Sequence, residues 1–514
     1  MITMQRTLVL MICLVFVLIS AAGQVTTRPR QENQLLLEGR YLRNNQRNLE
    51  EGEENEPSSV GRMLELARMN NVESAPEGAE ALVATGPVRV NSDLLAQDAL
   101  AQRATQAEPY LHANPENPDN LIAGWQENRF SNGGARALNY AVTFDGGRTW
   151  NEASLPRLTV VNGGTWERAS DPWVEFGPGN RAYFTSLLFN SSNPDNAIAV
   201  SVSTNGGSTW GNPVIVTRST ANFEDKQALT VDTYPASPFF GNVYVAWDRN
   251  IDTNGRTTAQ HLLISRSTNG GNSYSQPVRT RKKGANIGVI PRVGPDGTLY
   301  VVWAGGSLTG ANLSIFFAKS TDGGLSFTPK KKLTRIQAAG VAGLRAGATL
   351  PSFAVDPTTG DLYVAWADAR WTGVDQATIL ISRDKGATWT APARVTDGPD
   401  NAPAFTVSVA ANAQRGVAVS YYSLQNDPRR RFLADQYVRI SEDGGRTFQP
   451  SIRVTLSSFD VRFAAQAGGN FLGDYIGLAG AGSRFQLLWV DTSLFSSATG
   501  GLQPDVFTAR TEQE

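Results

Sequence analysis

Cysteine is almost missing from this chain. The single one among 514 residues is Cys13. It lies inside an apolar N-terminal run, so the rest of the chain has no disulfide and no thiol chemistry. Histidine is scarce too: His112 and His261 are the whole complement. Two unrelated histidines give neither a metal-ligand spacing nor a Ser-His-Asp arrangement, and no phosphate-cradling glycine loop occurs. Net charge is also lacking. The 46 Lys and Arg against 47 Asp and Glu leave −1, whereas a nucleic-acid or membrane-surface partner would favour a basic field. Beyond the N-terminus no run is apolar enough to cross a bilayer. The expectation is no metal, no cofactor, no nucleic acid, and stability from core packing alone.

What is present is a signal, a polar leader and a long turn-rich region. "MITMQRTLVLMICLVFVLISAAGQ" places Arg6 before an apolar core, Leu8 to Ile19, and small residues at Ser20 to Gly23. This reads as a secretory signal over residues 1–23, with an uncleaved anchor as the alternative. The protein is then secreted and free of the membrane after cleavage. Residues 24–82 are polar, mixed in charge and poor in aromatics, which predicts a disordered leader or linker. A short helix is expected at "SVGRMLELARMNN", Ser59 to Asn71. The stretch "RYLR", Arg40 to Arg43, followed by "LEEGEE", resembles the host-targeting leader of oomycete effectors; by composition alone it is a linker.

The region from 83 to 514 repeats itself. "TFDGGRTW", Thr143 to Trp150, recurs as "STNGGSTW", "STNGGNSY", "STDGGLSF", "SRDKGATW" and "SEDGGRTF". The recurring acid or amide is Asp145, Asn205, Asn269, Asp322, Asp384 and Asp443, at spacings of 60, 64, 53, 62 and 59. Each residue type has a task. The Asp or Asn accepts backbone N–H groups of the turn it begins, glycine supplies positive φ, hydroxyls tie down further backbone, and the aromatic plugs the hairpin. Six copies at one period resemble the Asp-box of the sialidase (BNR-repeat) superfamily, and the resemblance covers the chain from about residue 85 onward.

Around each turn lie strand-like runs, as in "PSFAVDP", "DLYVAWAD", "ATILISR" and "PARVTD". First strands are expected to begin near Pro109, Asp171, Asp225, Pro291, Pro351, Pro403 and Asp474. That makes seven units, the last without a turn or a fourth strand. "GPVRVNS", Gly86 to Ser92, resembles the missing strand, so one unit is closed from both termini and leaves no open edge. The expectation is an all-β, seven-bladed β-propeller of four-stranded blades; six blades with an appended hairpin is the alternative.

In such a topology the turns occupy one face. The starts of first strands and ends of second strands occupy the other. That second rim carries Asp171, Asp225 with Lys226, Arg292, Asp474 with Tyr475, Arg129, Arg249, Asp368 with Arg370, Asp491, and Glu167 with Arg168. Such groups either tie neighbouring blades together or converge on a basic pocket for an anionic sugar. The sialidase resemblance implies an arginine cluster for a substrate carboxylate, a Tyr nucleophile activated by a Glu, and an Asp acid/base. On that reading Tyr475, Asp474 and Asp171 are the catalytic candidates. Arg129, Arg168, Arg249, Arg292 and Arg370 are the substrate-binding ones. The family's first arginine motif falls on "QAEPYLHANP", where Pro109 matches its proline but Ala107 stands at the arginine. The six turn residues are structural. Two functions compete: a secreted glycoside hydrolase acting on an acidic sugar, and a non-catalytic propeller that binds a glycan, glycoprotein or other protein on this face. A monomer is expected in either case.

Overall fold

The computed structural model describes residues 72–74, 82–95, 98–253, 256–280, 284–307, 312–346, 350–497 and 499–513. The signal, the "RYLR" stretch and the Ser59 to Asn71 helix lie outside the described residues. The described chain is all-β, with two short 3-10 turns and no α-helix. Among these residues no helix is long and apolar enough to cross a membrane.

Alternating valine, isoleucine and aromatic residues build successive antiparallel sheets that step outward strand by strand, the first two joined into one by the Ala135–Ala169 pairing. The first consists of Gln106–Asn114, Asn117–Arg129, Ala135–Thr143 and Asn151–Ser154, the second of Arg168–Gly177, Arg181–Phe189, Asn196–Ser203 and Val214–Ser219. The third is Phe223–Val231, Val243–Thr253, Arg256–Ser267 and Val278–Arg279, and the fourth Ala285–Val293, Leu299–Gly306, Ser314–Ser320 and Lys331–Arg335. Ser352–Val355, Leu362–Asp368, Gln376–Ser382 and Ala393–Arg394 form the fifth; Ala404–Ala411, Val417–Ser423, Leu433–Ser441 and Ile452–Arg453 the sixth. The seventh holds Gly477–Ala481, Arg484–Asp491 and Asp505–Gln513. Val88–Arg89 pairs antiparallel with Phe507 and Thr508 at its outer side, and Leu82–Ala84 with Thr511 to Gln513. Side chains lock this seam: Asp505 accepts from Arg89 at 2.6 Å and from Asn91 at 2.9 Å. The first strand of each sheet touches that of the next, and the seventh touches the first. The sheets therefore form a ring around a channel lined by their first strands.

Tryptophans of the second strands fill the space between sheets. Trp125, Trp247, Trp303, Trp366 and Trp489 are fully buried. Four of them donate their indole N–H to a polar group near the strand ends, for example Trp303 to Asn286 at 3.0 Å, so a large apolar body is buried without an orphaned donor. The repeated turns hold the ring together from the other side. Asp145 accepts the amides of Arg148 at 2.9 Å and Thr149 at 3.0 Å, and the Thr149 hydroxyl at 2.6 Å. The second glycine of each turn lies against the preceding sheet. A Cβ on Gly207 would meet Ile122 at 2.5 Å, and one on Gly147 would meet Gln486 of the seventh sheet at 2.8 Å. Positive φ and close approach both require glycine there.

One strand start is corrected. Pro291 is near the end of its first strand, which begins at Ala285. The strand forms an edge along the channel, where the missing N–H of a proline is harmless.

Candidate functional site: the central channel

The first strands share a device that the alternating pattern hides. Register shifts interrupt five of them, between Ala107 and Tyr110, Ser170 and Trp173, Asp225 and Ala228, Ile287 and Ile290, and Phe405 and Ser408. Within each bulge one residue is left-handed: Glu108 (φ 54°), Asp171 (52°), Lys226 (45°), Gly288 (65°) and Thr406 (50°). Because the bulge recurs where no charge is present, at Gly288 and Thr406, it belongs to the architecture. It also collects Glu108, Asp171 and Lys226 at one level of the channel.

Lys226 is the hub of that level. Its ammonium lies 3.3 Å from Glu108 and 3.3 Å from Asp171, and it also pairs with Asp474. Arg345 holds the same Asp474 oxygen at 2.8 Å. Gln126 donates to Glu108 and to the Ser170 hydroxyl and accepts from Arg129. Side-chain exposure is only 6% for Lys226, 3% for Asp171 and 0% for Asp474. Burial pushes Glu108 up to about 8, against the pull of Lys226, and Asp225 up to about 6. Burial acts on Asp474 in the same sense, but Arg345 and Lys226 outweigh it and hold that carboxyl below the usual range. The three carboxylates in turn hold Lys226 well above its ordinary value despite burial.

A lid of side chains sits on this level. Leu344–Arg345 runs parallel to Asn470–Phe471, which pairs antiparallel with Ala465–Gln466. Arg129 and Arg345 both lie over the Phe471 ring, each 4.4 Å from its centroid. Burial and the neighbouring Arg345 lower Arg129 to about 10. Phe471 is itself fully buried against Ala107 and Ala467. Where the sialidase resemblance implied an arginine, Ala107 leaves room for this phenyl ring.

Below the hub the channel is aromatic. Tyr110 stacks on Trp173 with centroids 3.7 Å apart, and Tyr475 meets both rings edge-on at 6.0 and 5.7 Å. The Tyr475 hydroxyl donates to the Pro172 carbonyl at 2.9 Å. Burial and nearby carboxylates push it well above the ordinary tyrosine range, which opposes phenolate formation. Lower still, Arg292 contacts Glu175 at 2.9 Å and the Tyr110 hydroxyl at 2.7 Å. His112 Nδ1 accepts the Phe176 amide at 3.2 Å while Nε2 faces Glu175 at 2.9 Å, so the ring proton of a neutral His112 belongs on Nε2. The cavity between these layers measures about 60 Å3 and touches Asp171, Gln227 and Asp474. Asp171 Oδ2, Gln227 Oε1 and Asp474 Oδ1 have no protein partner. The space equals that of about two waters, which would satisfy those acceptors.

The structure therefore brings Asp171, Asp474, Tyr475, Arg129 and, at a lower level, Arg292 to one channel, and separates Arg168, Arg249 and Arg370 from it. Arg292 was expected on the rim with the strand starts; it belongs instead to the far end of its strand, beside the Tyr300 register. Arg249 pairs with Glu224 at 2.6 Å and reaches Thr217 on the second sheet's outer strand. Arg370 is bidentate on Asp368 and reaches Thr334 on the outer strand of the fourth. Arg168 donates to Asn132 at 2.7 Å and Gly133 at 2.8 Å and lies over Phe130. These three tie sheets to their neighbours and do not form one carboxylate-binding cluster. Glu108, Arg345 and Phe471 escaped sequence reasoning. Their only advance signal is the length of the two connections that carry Arg345 and Phe471. Among the described residues no group of three or more His, Cys, Asp or Glu side chains is placed to hold a metal ion.

No protein-family model and no curated protein matches the chain. Solved structures that resemble it include a protein of unknown function from Dyadobacter fermentans, at 15% identity over 84% of this chain and 99% of that one, with a TM-score of 0.46. The Hadza microbial sialidase Hz136 aligns at 18% identity over 77% and 75%, TM-score 0.45. The phage phi92 endosialidase aligns at 10% identity over 84% and 69%, TM-score 0.48. Scores and identities this low leave the functional reading to the geometry of the chain itself.

Proposed function

We propose that this chain is a secreted, seven-bladed Asp-box propeller of sialidase-like architecture that works as a binding module, with its channel serving stability and not glycoside hydrolysis. Its ligand is a carbohydrate or a protein partner taken at the face opposite the repeated turns. The observation that carries this reading is the filled channel. Lys226 holds Glu108, Asp171 and Asp474 together, Arg345 holds Asp474 as well, the Phe471 ring packs against Arg345 and Arg129, and about 60 Å3 remains. Small-molecule pockets begin near ~300 Å3. A glycosidase also needs its acid/base and nucleophile within reach of a sugar, and here Asp171, Asp474 and Tyr475 are shielded from solvent.

The test is hydrolysis of a fluorogenic sialoside and of linear arabino-oligosaccharides by the purified protein, with Asp171→Asn and Tyr475→Phe beside it. No turnover above buffer is expected from any of the three. Turnover by the wild type that disappears in Asp171→Asn or Tyr475→Phe would replace this reading with a sialidase-type hydrolase.

A further inference from the structure

The face above the sixth and seventh sheets is unlike the rest of the surface. Fifteen large apolar side chains are exposed among the described residues, and seven of them fall between Phe432 and Leu502. Six of them sit on three connections, 424–432, 454–476 and 492–504, and Leu433 begins the strand that follows the first. The connections are bonded to one another. Val461 donates its amide to the Phe432 carbonyl at 2.9 Å, Leu433 pairs with Asp460, and the Thr492 hydroxyl donates to the Asp460 carbonyl at 2.6 Å. The three therefore form one surface. Leu456 is 80% exposed, Phe495 67% and Phe463 44%. An apolar patch this concentrated marks an interaction site.

Charge selects the partner. Arg429 and Arg430 are exposed beside Phe432, and Arg462, paired with Asp460 at 2.5 Å, lies over the Phe432 ring at 4.3 Å. The acids nearby are committed inward. Asp427 accepts the amides of Arg430 and Phe432, Asp435 is buried against Arg453, Thr455 and Ser458, and Asp491 accepts Ser493 N–H. The carboxylates that would hold sugar hydroxyls are thus already used. Phenyl rings and leucines ringed by arginine are the composition of a protein interface core. On the binding reading above, we propose that this surface captures an acidic segment of a protein partner, with leucine or phenylalanine side chains seated among Phe463, Phe495 and Leu456 and its carboxylates on Arg429 and Arg430.

The experiment selects random displayed peptides on the immobilised full-length protein and measures the recovered peptides by fluorescence anisotropy. Peptides rich in Asp or Glu with interspersed Leu or Phe are expected. Phe463→Ser with Phe495→Ser should weaken them about tenfold or more. Arg429→Glu with Arg430→Glu should weaken them and flatten their salt dependence. All four side chains are exposed, so the variants keep the fold. Peptides without acidic enrichment, or binding indifferent to both double variants, would overturn the proposal. So would self-association or glycan-array binding that Phe463→Ser with Phe495→Ser abolishes, since a second copy or a glycan would then own the surface. None of these outcomes touches the binding-module reading, which stands or falls on the hydrolysis assay.

Discussion

Carboxylates at the two ends of this ring are pushed in opposite directions. In the repeated turns, Asp322 is half-buried and Asp384 exposed, and hydroxyl and amide donors hold both at about 2. In the channel, Glu108 and Asp225 face fixed positive charge, yet burial carries them up to about 8 and about 6. A carboxylate given several short local donors stays ionised wherever it is. One taken from water needs a full cationic partner, and three acids here share Lys226. The turns are self-sufficient units, whereas the channel is a collective that fails together.

That difference can be broken most severely at Lys226. Lys226→Met leaves Glu108, Asp171 and Asp474 buried without their common cation, and should cost about 3–5 kcal/mol in urea unfolding; a loss under ~1 kcal/mol would mean that the hub is dispensable. The pH profile comes next. Glu108 keeps in the fold a proton that the unfolded chain releases near its ordinary 4.5. Its contribution is therefore complete below that pH and is lost as pH rises towards about 8. Asp322 and Asp384 act in the opposite sense: their contribution is present above the ordinary aspartate value near 3.8 and is lost as pH falls towards about 2. Thermal midpoints should decline from pH 5 to 8, and Glu108→Gln should flatten that decline; an unchanged slope would detach Glu108 from it. A single turn matters less. Asp443→Ala removes acceptors for Arg446 and Thr447 amides at 2.9 and 3.0 Å and should cost about 1–2 kcal/mol. The smallest effect belongs to Asn269→Asp. It keeps the Ser273 amide bond at 3.0 Å and exchanges an amide donor to Ser273 for an acceptor, so unfolding should move by only a few tenths of a kcal/mol.

The contrast also explains what was legible in advance. Asp145 and Thr149 are four residues apart, so their pairing is written in eight consecutive letters. Arg249 and Arg370 lie near the ends of second strands and Arg168 begins a first strand, so all three fall on one rim, which suggested one pocket. Their choice of Thr217, Thr334 and Asn132 depends on which neighbouring sheet lies within reach, and spacing does not encode that. Arg292 was placed at the wrong end because Pro291 resembled the prolines at other strand starts. The register shift between Ile287 and Ile290 aligns Gly288, not Pro291, with Asp171 and Lys226.

By itself the sequence determined the repeat, the turn chemistry, the β character of each unit and the strand near Val88 that pairs at the chain's other end. Those properties depend on neighbours within a few residues or on a period that can be counted. Only the tertiary structure decided that Lys226 meets Glu108, Asp171 and Asp474, and that Phe471 occupies the space Ala107 leaves. One extra residue in a bulge reverses which side chains face inward, and groups more than two hundred residues apart meet only when the ring closes.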